Sequence, residues 1–466
     1  MTRLETRSLL GLIALYATRM LGLFMVLPVI ALYAGDYSGS TTFLLGVALG
    51  AYGLTQGLLQ IPLGMLSDKV GRKAVIIGGM LCFLAGSVVA ATADSISGLI
   101  VGRTLQGMGA VASTIMALLS DLTTEENRTK AMAAVGGSIG LSFALAMVIG
   151  PVLAAAGGLG AIFWLTALLS VVGILLVIFW IPTPVAVSQV TASEALAMPS
   201  LLAVTLKDTQ LLRLDIGVFV LHMAQMASWI SVPYLLEHTF GLALAEHWWL
   251  YLLTMGLGFV AMLPLVIIGE RKRKLKQVFV TGVLVLAVAE LVLYASGSSF
   301  ALFVLGMLAF FMAFNLLEAT LPSLVSKITP SGSRGTAMGI YSSSQFLGAF
   351  AGGVCGGYIA QHFGHQGVFL FAGAMVLVWL GVALSMAQPR HWSTVVVDLT
   401  AHPGMPSDGP SLRELVAGIE ELTLIPERRL MYLKVDRDIF PREQFDDLLR
   451  RTSADPAADD RGGATG

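Results

Sequence analysis

Long apolar segments alternate with short polar segments over residues 1–388 of the chain. Each apolar segment is long enough to cross the hydrocarbon core of a lipid bilayer, which is about 30 Å thick. The pattern predicts an all-α membrane domain with twelve transmembrane helices. The predicted spans are residues 8–34, 41–67, 74–93, 95–119, 130–156, 160–181, 212–236, 246–269, 275–295, 299–326, 335–361 and 365–387.

The longest polar interruption divides these spans into two sets of six. It covers residues 183–210 and predicts a cytoplasmic linker between an N-terminal half, residues 1–182, and a C-terminal half, residues 211–388. After the second half, residues 393–452 have the pattern of a small soluble domain. Residues 453–466 have the composition of a disordered tail.

The composition agrees with a membrane protein. Of the 466 residues, 56% are hydrophobic and 12% are charged, whereas soluble proteins contain about 25% charged residues. The two cysteines, Cys82 and Cys355, lie in different predicted spans, so a disulfide and a thiolate metal site are both disfavoured. We expect no metal and no cofactor.

The basic residues are distributed unevenly across the membrane. Every Lys and Arg before residue 391, except Arg19 and Arg103, falls at one side of the predicted spans. By the positive-inside rule, this side is the cytoplasm, and both chain termini are cytoplasmic. We therefore expect a multi-pass protein of a bacterial inner membrane, in which Arg19 and Arg103 lie within the bilayer, where a charge is costly.

A charged loop punctuated by glycine joins the second and third predicted spans. It reads Gly64-Met-Leu-Ser-Asp68-Lys-Val-Gly71-Arg72-Lys73. The pattern G-x-x-x-D-[RK]-x-G-R-[KR] resembles the signature loop of the major facilitator superfamily. The resemblance implies two pseudo-symmetric six-helix halves that move a small solute by alternating access.

An internal repeat favours two related halves. Residues 118–132 and 324–338 share six identities at a constant offset of 206 positions. The offset maps the fourth and fifth predicted spans onto the tenth and eleventh. The halves are therefore predicted to be parallel repeats, with a substrate held between them near the middle of the membrane.

The resemblance also assigns a role in conformational switching to the signature loop. It implies that Asp68, Arg72 and Asp121 form a charge relay that stabilises the outward-open state. Asp68 can in addition reach the N-terminus of a helix that starts near residue 334, where the helix dipole favours an anion. A loop that only sets topology would explain the lysines but not the glycines or Asp68. The corresponding loop of the second half, residues 269–274, lacks the aspartate and the second glycine, so we expect no matching latch there.

Two arginines and a glutamate in the spans are candidates for proton coupling and for the cavity. Arg103 begins the sequence Arg103-Thr-Leu-Gln106-Gly, which resembles the R-x-x-Q-G element of proton-coupled facilitators. There the arginine is implied to bias the proton affinity of a nearby carboxylate; the alternative is an arginine that reaches the membrane interface. Arg19 either supplies a counter-charge to the cavity or braces the first span. Glu318 shares a helical face with Asn315 and is the favoured proton carrier, because a carboxyl removed from water holds its proton more tightly.

Three further positions leave alternatives open or match a motif only in part. His222 in the seventh span is either a satisfied contact between helices or a proton- or substrate-handling residue. Glu290 in the ninth span is expected to make a structural hydrogen bond. Gly150-Pro151 in the fifth span resembles the antiporter motif, although Ala146 stands where that motif has a glycine.

The soluble segment is predicted to fold as βαββα, a ferredoxin-like order. It contains no cysteine and is acidic, so metal chelation and nucleic-acid binding are disfavoured. The remaining roles for this domain are docking on the membrane domain and binding a regulator. With this domain, the chain resembles the branch of the superfamily regarded as proton-driven drug exporters.

We therefore expect a monomeric antiporter of the multidrug-efflux type. It would export a small amphipathic organic compound against an influx of protons, within the lipid bilayer. The chain has no nucleophile–base set or phosphate-binding loop, so an enzyme is disfavoured. The alternatives are a proton-coupled sugar or metabolite symporter and a membrane sensor that signals through its C-terminal domain.

Overall fold

The computed structural model of the protein describes residues 3–183, 205–272, 274–329, 334–387, 392–402, 404–406, 408–425, 430–436 and 439–452. The chain forms two compact units, Met1–Ala387 and Gln388–Gly466. Most of the predicted linker, at residues 184–204, and the whole predicted tail, at residues 453–466, lie outside the described residues.

The first half of the membrane unit is mainly helical over its described length. Its α-helices are α1 (Arg3–Phe24), α2 (Thr42–Val70), α3 (Arg72–Ala91), α4 (Ile96–Met108), α5 (Ala112–Asp121) and α6 (Glu125–Leu175). The first predicted span, residues 8–34, differs from this. Because Pro28 restricts the backbone and offers no N–H, α1 ends before it, and a short 3-10 helix, Ile30–Asp36, follows.

The second half repeats this architecture with fewer interruptions. Its helices are α7 (Thr209–His238), α8 (His247–Arg271), α9 (Leu275–Ala295), α10 (Phe300–Ile328) and α11 (Arg334–Leu384). A short 3-10 helix, Leu244–Glu246, precedes α8. Pro233, Pro264 and Pro322 lie inside α7, α8 and α10.

Nine helices of the described chain are long and apolar enough to cross a membrane. Two of them, α6 and α11, have 51 residues each and contain non-helical glycines, Gly157 and Gly158 in α6 and Gly364 in α11. Gly158 and Gly364 have φ values of 68° and 81°, which favour glycine. These breaks lie where the sequence predicts boundaries between spans. The pair α4 and α5, interrupted at Gly109, falls within one predicted span. The total of twelve spans remains a prediction.

The two halves pack through glycines of α2 and α11. A Cβ atom on Gly46 would lie 2.2 Å from the carbonyl oxygen of Gly353. On another face of α11, a Cβ atom on Gly352 would lie 2.2 Å from the carbonyl oxygen of Met223 in α7. Since any side chain would push these backbones apart, α11 touches both α2 of the first half and α7 of the second half at backbone distance.

The halves also meet at the ends of the helices opposite the basic loops. The backbone N–H of Phe43 donates to Oε1 of Gln361 at 3.0 Å. The 3-10 helix Ile30–Asp36 packs on α7, and the 3-10 helix Leu244–Glu246 packs on α6. A small cavity remains there, lined by Ile30, Ala31, Thr42, Leu45, Ile230, Tyr234 and His365. The membrane unit is therefore closed at this end.

The C-terminal unit contains a three-stranded antiparallel sheet and two helices. Its elements are β1 (Trp392–Asp398), α12 (Gly409–Leu415), β2 (Ile419–Ile425), β3 (Leu430–Asp436) and α13 (Arg442–Thr452), and the strand order is β1-β3-β2. Its core buries Leu412, Met431, Leu433 and Phe445. The predicted order βαββα is present, whereas the likeness to a ferredoxin fold remains a prediction.

Candidate transport and proton-coupling site

Arg19 is held by uncharged acceptors in the interior of the first half. Its side chain is 1% exposed, and Nη2 donates to the hydroxyl of Tyr52 at 2.9 Å, to Oε1 of Gln56 at 2.8 Å and to the carbonyl of Gly109 at 3.1 Å. Gln56 in turn donates to Gln60 at 2.8 Å. This arrangement braces α1 against α2 and against the break between α4 and α5.

The break at Gly109 follows from this contact. Inside an uninterrupted helix the carbonyl of Gly109 would accept the N–H four residues later. Here it accepts from Arg19 of α1 and from the N–H of Val111 instead. The predicted span 95–119 is thus divided because a buried guanidinium needs an acceptor at this level of the membrane.

Arg103 has a separate set of partners. It is 1% exposed, and Nη1 donates to Oε1 of Gln106 at 2.7 Å, while Nε2 of Gln106 donates to the hydroxyl of Ser87 at 2.9 Å. Its guanidinium lies 5.2 Å from the centre of the Tyr52 ring. No carboxylate of the described chain forms an ion pair with Arg103 or Arg19. The role expected for Arg103 beside a neighbouring carboxylate is therefore not a direct contact in this structure.

Two ionisable groups of the second half, His222 and Glu318, lie close together. Nε2 of His222 in α7 lies 3.6 Å from Oε2 of Glu318 in α10. Gln345 of α11 reaches both, with its Nε2 atom 2.8 Å from Nε2 of His222 and 3.5 Å from Oε1 of Glu318. The side chain of Glu318 is 40% exposed, whereas that of His222 is 10% exposed. The site therefore combines a buried imidazole with a carboxylate that remains accessible.

The local sequence places these side chains on facing helix surfaces. His222 is fixed by a contact of 3.1 Å between Nδ1 and the carbonyl of Val218, one turn earlier in α7, and by the ring of Phe314, whose centre lies 5.7 Å away. Asn315 lies one turn before Glu318 in α10 and is half-buried. It shares the helix face of Glu318, as predicted, but makes no hydrogen bond with a described residue.

Sequence reasoning missed several members of these clusters. Tyr52, Gln56 and Gln60 recur at intervals of four residues in α2, which places them on one helix face and could have identified them as partners for a buried charge. Gln345 gave a weaker signal, because it follows a run of serines, Ser342-Ser-Ser344, in an otherwise apolar segment. Only the fold brings it to His222.

Glu290 makes the hydrogen bond expected of it. It is fully buried in α9, and the hydroxyl of Ser228 in α7 donates to its Oε1 atom at 3.1 Å. The contact joins two helices of the second half. Glu290 does not belong to the cluster around His222.

The signature loop forms a connected set of charges at the ends of α2, α3 and α5. Arg72 pairs with Asp68, and its Nε atom donates to Oδ2 of Asp121 at 3.2 Å. Arg72 also donates to the hydroxyl of Ser67 at 2.7 Å. Gly71, between α2 and α3, has a φ of 103°, a conformation that a side chain would strain. Arg72 thereby ties the turn after α2 to the end of α5.

The other positions of the signature loop differ in their environment. The carbonyl of Gly64 accepts from the hydroxyl of Ser67 at 2.6 Å. Lys73 is half-buried and has no ion-pair partner in the described chain. Residues 330–333 and the side chain of Arg334 lie outside the described residues. The expected contact of Asp68 with a helix that starts near residue 334 therefore remains a prediction.

The second half contains an ion pair where no latch was expected. Nζ of Lys327, at the end of α10, lies 2.8 Å and 3.1 Å from the two carboxylate oxygens of Glu270, at the end of α8. At the offset of 206 residues, Lys327 corresponds to Asp121. The second half thus has a lysine where the first half has an aspartate, and its partner is a carboxylate instead of an arginine.

Gly150-Pro151 lies where α6 approaches the region after α1. A Cβ atom on Gly150 would lie 2.6 Å from the carbonyl of Met25. The glycine is therefore needed for close packing of two helical segments of the first half. No group of three or more His, Cys, Asp or Glu side chains among the described residues could hold a metal ion.

Comparison with known proteins identifies the family. The chain matches the Major Facilitator Superfamily over residues 12–212 and 214–418. It is similar to the inner membrane transport protein YajR of Escherichia coli (strain K12), with 44% identity over 452 residues that cover 97% of this chain and 99% of the relative. The chain belongs to the Major Facilitator Superfamily. It is a multi-pass inner-membrane transporter of that superfamily and not an enzyme, and the resemblance to YajR-type proteins is confirmed.

More distant similarities agree with this assignment. Multidrug resistance protein MdtH of Aeromonas hydrophila subsp. hydrophila is 28% identical over 359 residues, which cover 74% of this chain and 86% of the relative. The crystal structure of a D-xylose-proton symporter aligns with a TM-score of 0.64 and 15% identity, over 82% of this chain and 98% of that chain. The structural similarity establishes the facilitator fold.

Proposed function

We propose that this facilitator exports a small amphipathic organic compound in exchange for protons. The observation that carries the proposal is the contact between His222 and Glu318. A carboxylate within a transmembrane segment is costly. The side chain of Glu318 is 40% exposed, while its Oε2 atom is buried without a hydrogen bond in the described chain. A similarity to multidrug resistance protein MdtH supports an organic substrate.

In this proposal Glu318 carries the exchanged proton, and His222, when it is protonated, stabilises the ionised form of Glu318. An ionised Glu318 would attract an imidazolium whose Nε2 atom lies 3.6 Å away, and protonation of Glu318 would remove that attraction. A proton and a substrate that both need the accessible carboxylate then bind in turn, which is the requirement for exchange. Asn315, one turn away, would contribute an uncharged polar group to the cavity.

The first half would supply a fixed positive potential. Arginine remains protonated at all physiological pH values, and Arg19 and Arg103 are balanced only by uncharged partners. We assign Arg19 mainly to bracing the helices. Arg103 and Gln106 would act on Glu318 across the cavity through the electrostatic potential, which is stronger where water is excluded.

The relay of Asp68, Arg72 and Asp121 would control the equilibrium between conformations. Because the Arg72–Asp121 contact joins different helices, separation of these helices would break it. The predicted contact of Asp68 with the N-terminus of the helix that starts near residue 334 would contribute about 0.3–1 kcal/mol, and up to about 2 kcal/mol when partly buried. This would suffice to bias the equilibrium towards the outward-open state about tenfold without locking the transporter.

A reconstitution experiment tests the proposal directly. Purified protein in liposomes with an imposed pH gradient should move a fluorescent amphipathic cation such as ethidium against the direction of proton flow. Glu318→Gln should remove the dependence on the gradient. Asp94→Asn, at an exposed loop position, is the matched control and should leave transport unchanged. Movement of the compound with the protons would indicate a symporter instead.

The topology and the C-terminal unit are part of the same proposal. We propose a monomer with both termini in the cytoplasm and a C-terminal unit that docks on the membrane unit or binds a regulator. Deletion of residues 391–466 distinguishes this proposed transporter from a membrane sensor. A transporter should still move its substrate without this segment, whereas a sensor would lose its output.

A further inference from the structure

Gln345 lies on the helix that contacts both halves of the membrane unit. On one side of α11, the carbonyl of Phe346 would lie 2.6 Å from a Cβ atom on Gly53 of α2. On another side, a Cβ atom on Gly348 would lie 2.1 Å from the carbonyl of Phe219 in α7. A shift of α11 near Gln345 must therefore change the packing at the interface between the halves.

The hydrogen bonds of His222 determine whether the amide nitrogen or the amide oxygen of Gln345 faces its imidazole. Nδ1 of His222 lies 3.1 Å from the carbonyl oxygen of Val218. A carbonyl can only accept, so Nδ1 carries a hydrogen, and Nε2 of the neutral imidazole is an acceptor. The amide group of Gln345 that faces Nε2 at 2.8 Å is accordingly the NH₂ group. The same nitrogen lies 3.5 Å from Oε1 of Glu318.

Protonation of His222 makes this arrangement untenable. The imidazolium carries a hydrogen on Nε2 as well as on Nδ1, so two donors would face each other at 2.8 Å. Gln345 must then turn its amide oxygen towards His222 or withdraw. At the same time, the carboxylate of Glu318 becomes the favoured acceptor for the hydrogen on Nε2, because its Oε2 atom lies 3.6 Å away.

We infer that Gln345 is a positioning residue that transmits the protonation state of the His222–Glu318 pair to α11. This inference rests on the proposed proton coupling and adds the step between the proton and the movement of the halves. The other ionisable groups near the pair are Tyr341 of α11, which interacts electrostatically with Glu318, and Asp215 of α7, which interacts with Tyr341. Neither makes a hydrogen bond to His222 in the described chain.

The first test is the pH profile of transport in proteoliposomes. Gln345→Leu removes the donor that stabilises neutral His222 and ionised Glu318. The variant should therefore bind protons at higher pH, and the midpoint of the transport profile should rise by roughly 0.5–1 pH unit, which corresponds to one neutral hydrogen bond. Ser344→Ala, the neighbouring position of α11, should keep the wild-type midpoint. An unchanged midpoint in Gln345→Leu overturns the inference and leaves the proposed antiport intact.

The second test needs no transported substrate. Spin labels at Asp36→Cys and Phe363→Cys, both exposed and in opposite halves, report the distance between the halves at the closed end. Cys82 and Cys355 are replaced by serine for specific labelling. The inference requires a distance distribution that changes with pH in the otherwise wild-type protein, and a shifted or absent change in Gln345→Leu.

The two tests separate the inference from the proposed function. A protein that moves no organic compound but shows a Gln345-dependent change in distance with pH retains the inference and loses the proposed substrate. A distance that responds to pH equally in the wild type and in Gln345→Leu overturns the inference. Gln345→Met preserves the length of the side chain without a donor and should behave like Gln345→Leu. Agreement between the two variants would show that the effect does not arise from misfolding of one of them.

Discussion

Lys327 and Glu270 form an ion pair between the ends of α10 and α8, with Nζ 2.8 Å and 3.1 Å from the two carboxylate oxygens. Lys327 is the repeat counterpart of Asp121, which pairs with Arg72 in the first half. Each half thus joins two helix ends by a charge pair, but the partners do not correspond, because Arg72 begins α3 whereas Glu270 lies at the end of α8. The sign at the position shared by Asp121 and Lys327 is reversed.

Reversal of one charge at this pair should therefore weaken the contact between helices, and reversal of both should restore it. Lys327→Glu and Glu270→Lys should each change the ratio of the two conformations by roughly fivefold at most, since an exposed pair contributes about 0.2–1 kcal/mol. The spin-label distance distribution measures this ratio. A double variant that behaves as the sum of the single variants would show that the pair is energetically silent.

We expect Arg19 to affect the thermal stability of the protein more than the pH dependence of transport. Arg19→Met removes the donor from Tyr52, Gln56 and the carbonyl of Gly109, and each unsatisfied buried group costs about 1–3 kcal/mol. We expect a clearly lower thermal unfolding temperature, with partial recovery in Arg19→Lys, which keeps the charge but not the geometry of the guanidinium. Thr18→Ala is the control. A normal unfolding temperature with a shifted pH profile of transport would instead place Arg19 in the coupling.

Substitution of Gly46 tests whether α2 and α11 make their contact only when the membrane unit is closed at the end opposite the basic loops. Gly46→Ala adds a Cβ atom 2.2 Å from the carbonyl of Gly353, so it should disfavour closure at that end and reduce transport at least tenfold. Gly78→Ala in α3 has no atom within 4 Å of the added Cβ and should transport normally. The distance between labels at positions 36 and 363 should increase in the first variant. Equal transport by both variants would contradict the packing argument.

Asp408 makes the C-terminal unit sensitive to acid. It caps α12 by accepting from the N–H of Ser411 at 3.0 Å, and hydrogen bonds to Ser411 lower the pKa of its carboxyl below the usual value. Hydrogen bonds to Thr400 do the same for the pKa of Asp398. A carboxyl with a lowered pKa stabilises the fold above its unfolded-state pKa near 3.9, and the contribution is lost as the pH falls through the lower folded-state pKa.

Hydrogen exchange of the full chain measures this effect. Protection of Gly409–Leu415 should fall as the pH drops below about 4, once exchange rates are corrected for pH. Asp408→Asn should keep the cap at neutral pH and remove its titration, because asparagine caps helices as well as aspartate does. Asp408→Ala should lose protection already at neutral pH. Protection that does not depend on pH in the wild type would rule out this role.

The sequence predicted those features that depend on local chemistry. Apolar length predicted the membrane-spanning helices, and the predicted boundaries between spans coincide with the breaks at Gly157 and Gly158 in α6 and at Gly364 in α11. The break at Gly109 could not be predicted, because it depends on Arg19, which is 90 residues away in the chain. The end of α1 before Pro28 had a local signal in the proline itself.

The candidate site was predicted in part. The polar residues within apolar spans identified Arg19, Arg103, His222 and Glu318, and the fold brought only the last two together. The sequence indicated Gln345 only weakly, because an uncharged amide is tolerated in many helix environments. The pair of Lys327 and Glu270 was missed for another reason, since the expectation was based on the loss of the aspartate and the second glycine from residues 269–274, and Lys327 lies outside that loop.

Arg19 and Arg103 have only uncharged hydrogen-bond partners among the described residues, and this has a consequence for the proposed transport cycle. A guanidinium cannot release its proton at any pH that the cell tolerates, so the interior of the first half keeps the same charge throughout turnover. In the proposed exchange cycle, the groups that would gain and lose a proton, His222 and Glu318, lie in the second half. The first half would then keep a constant charge while the charge of the second half changes.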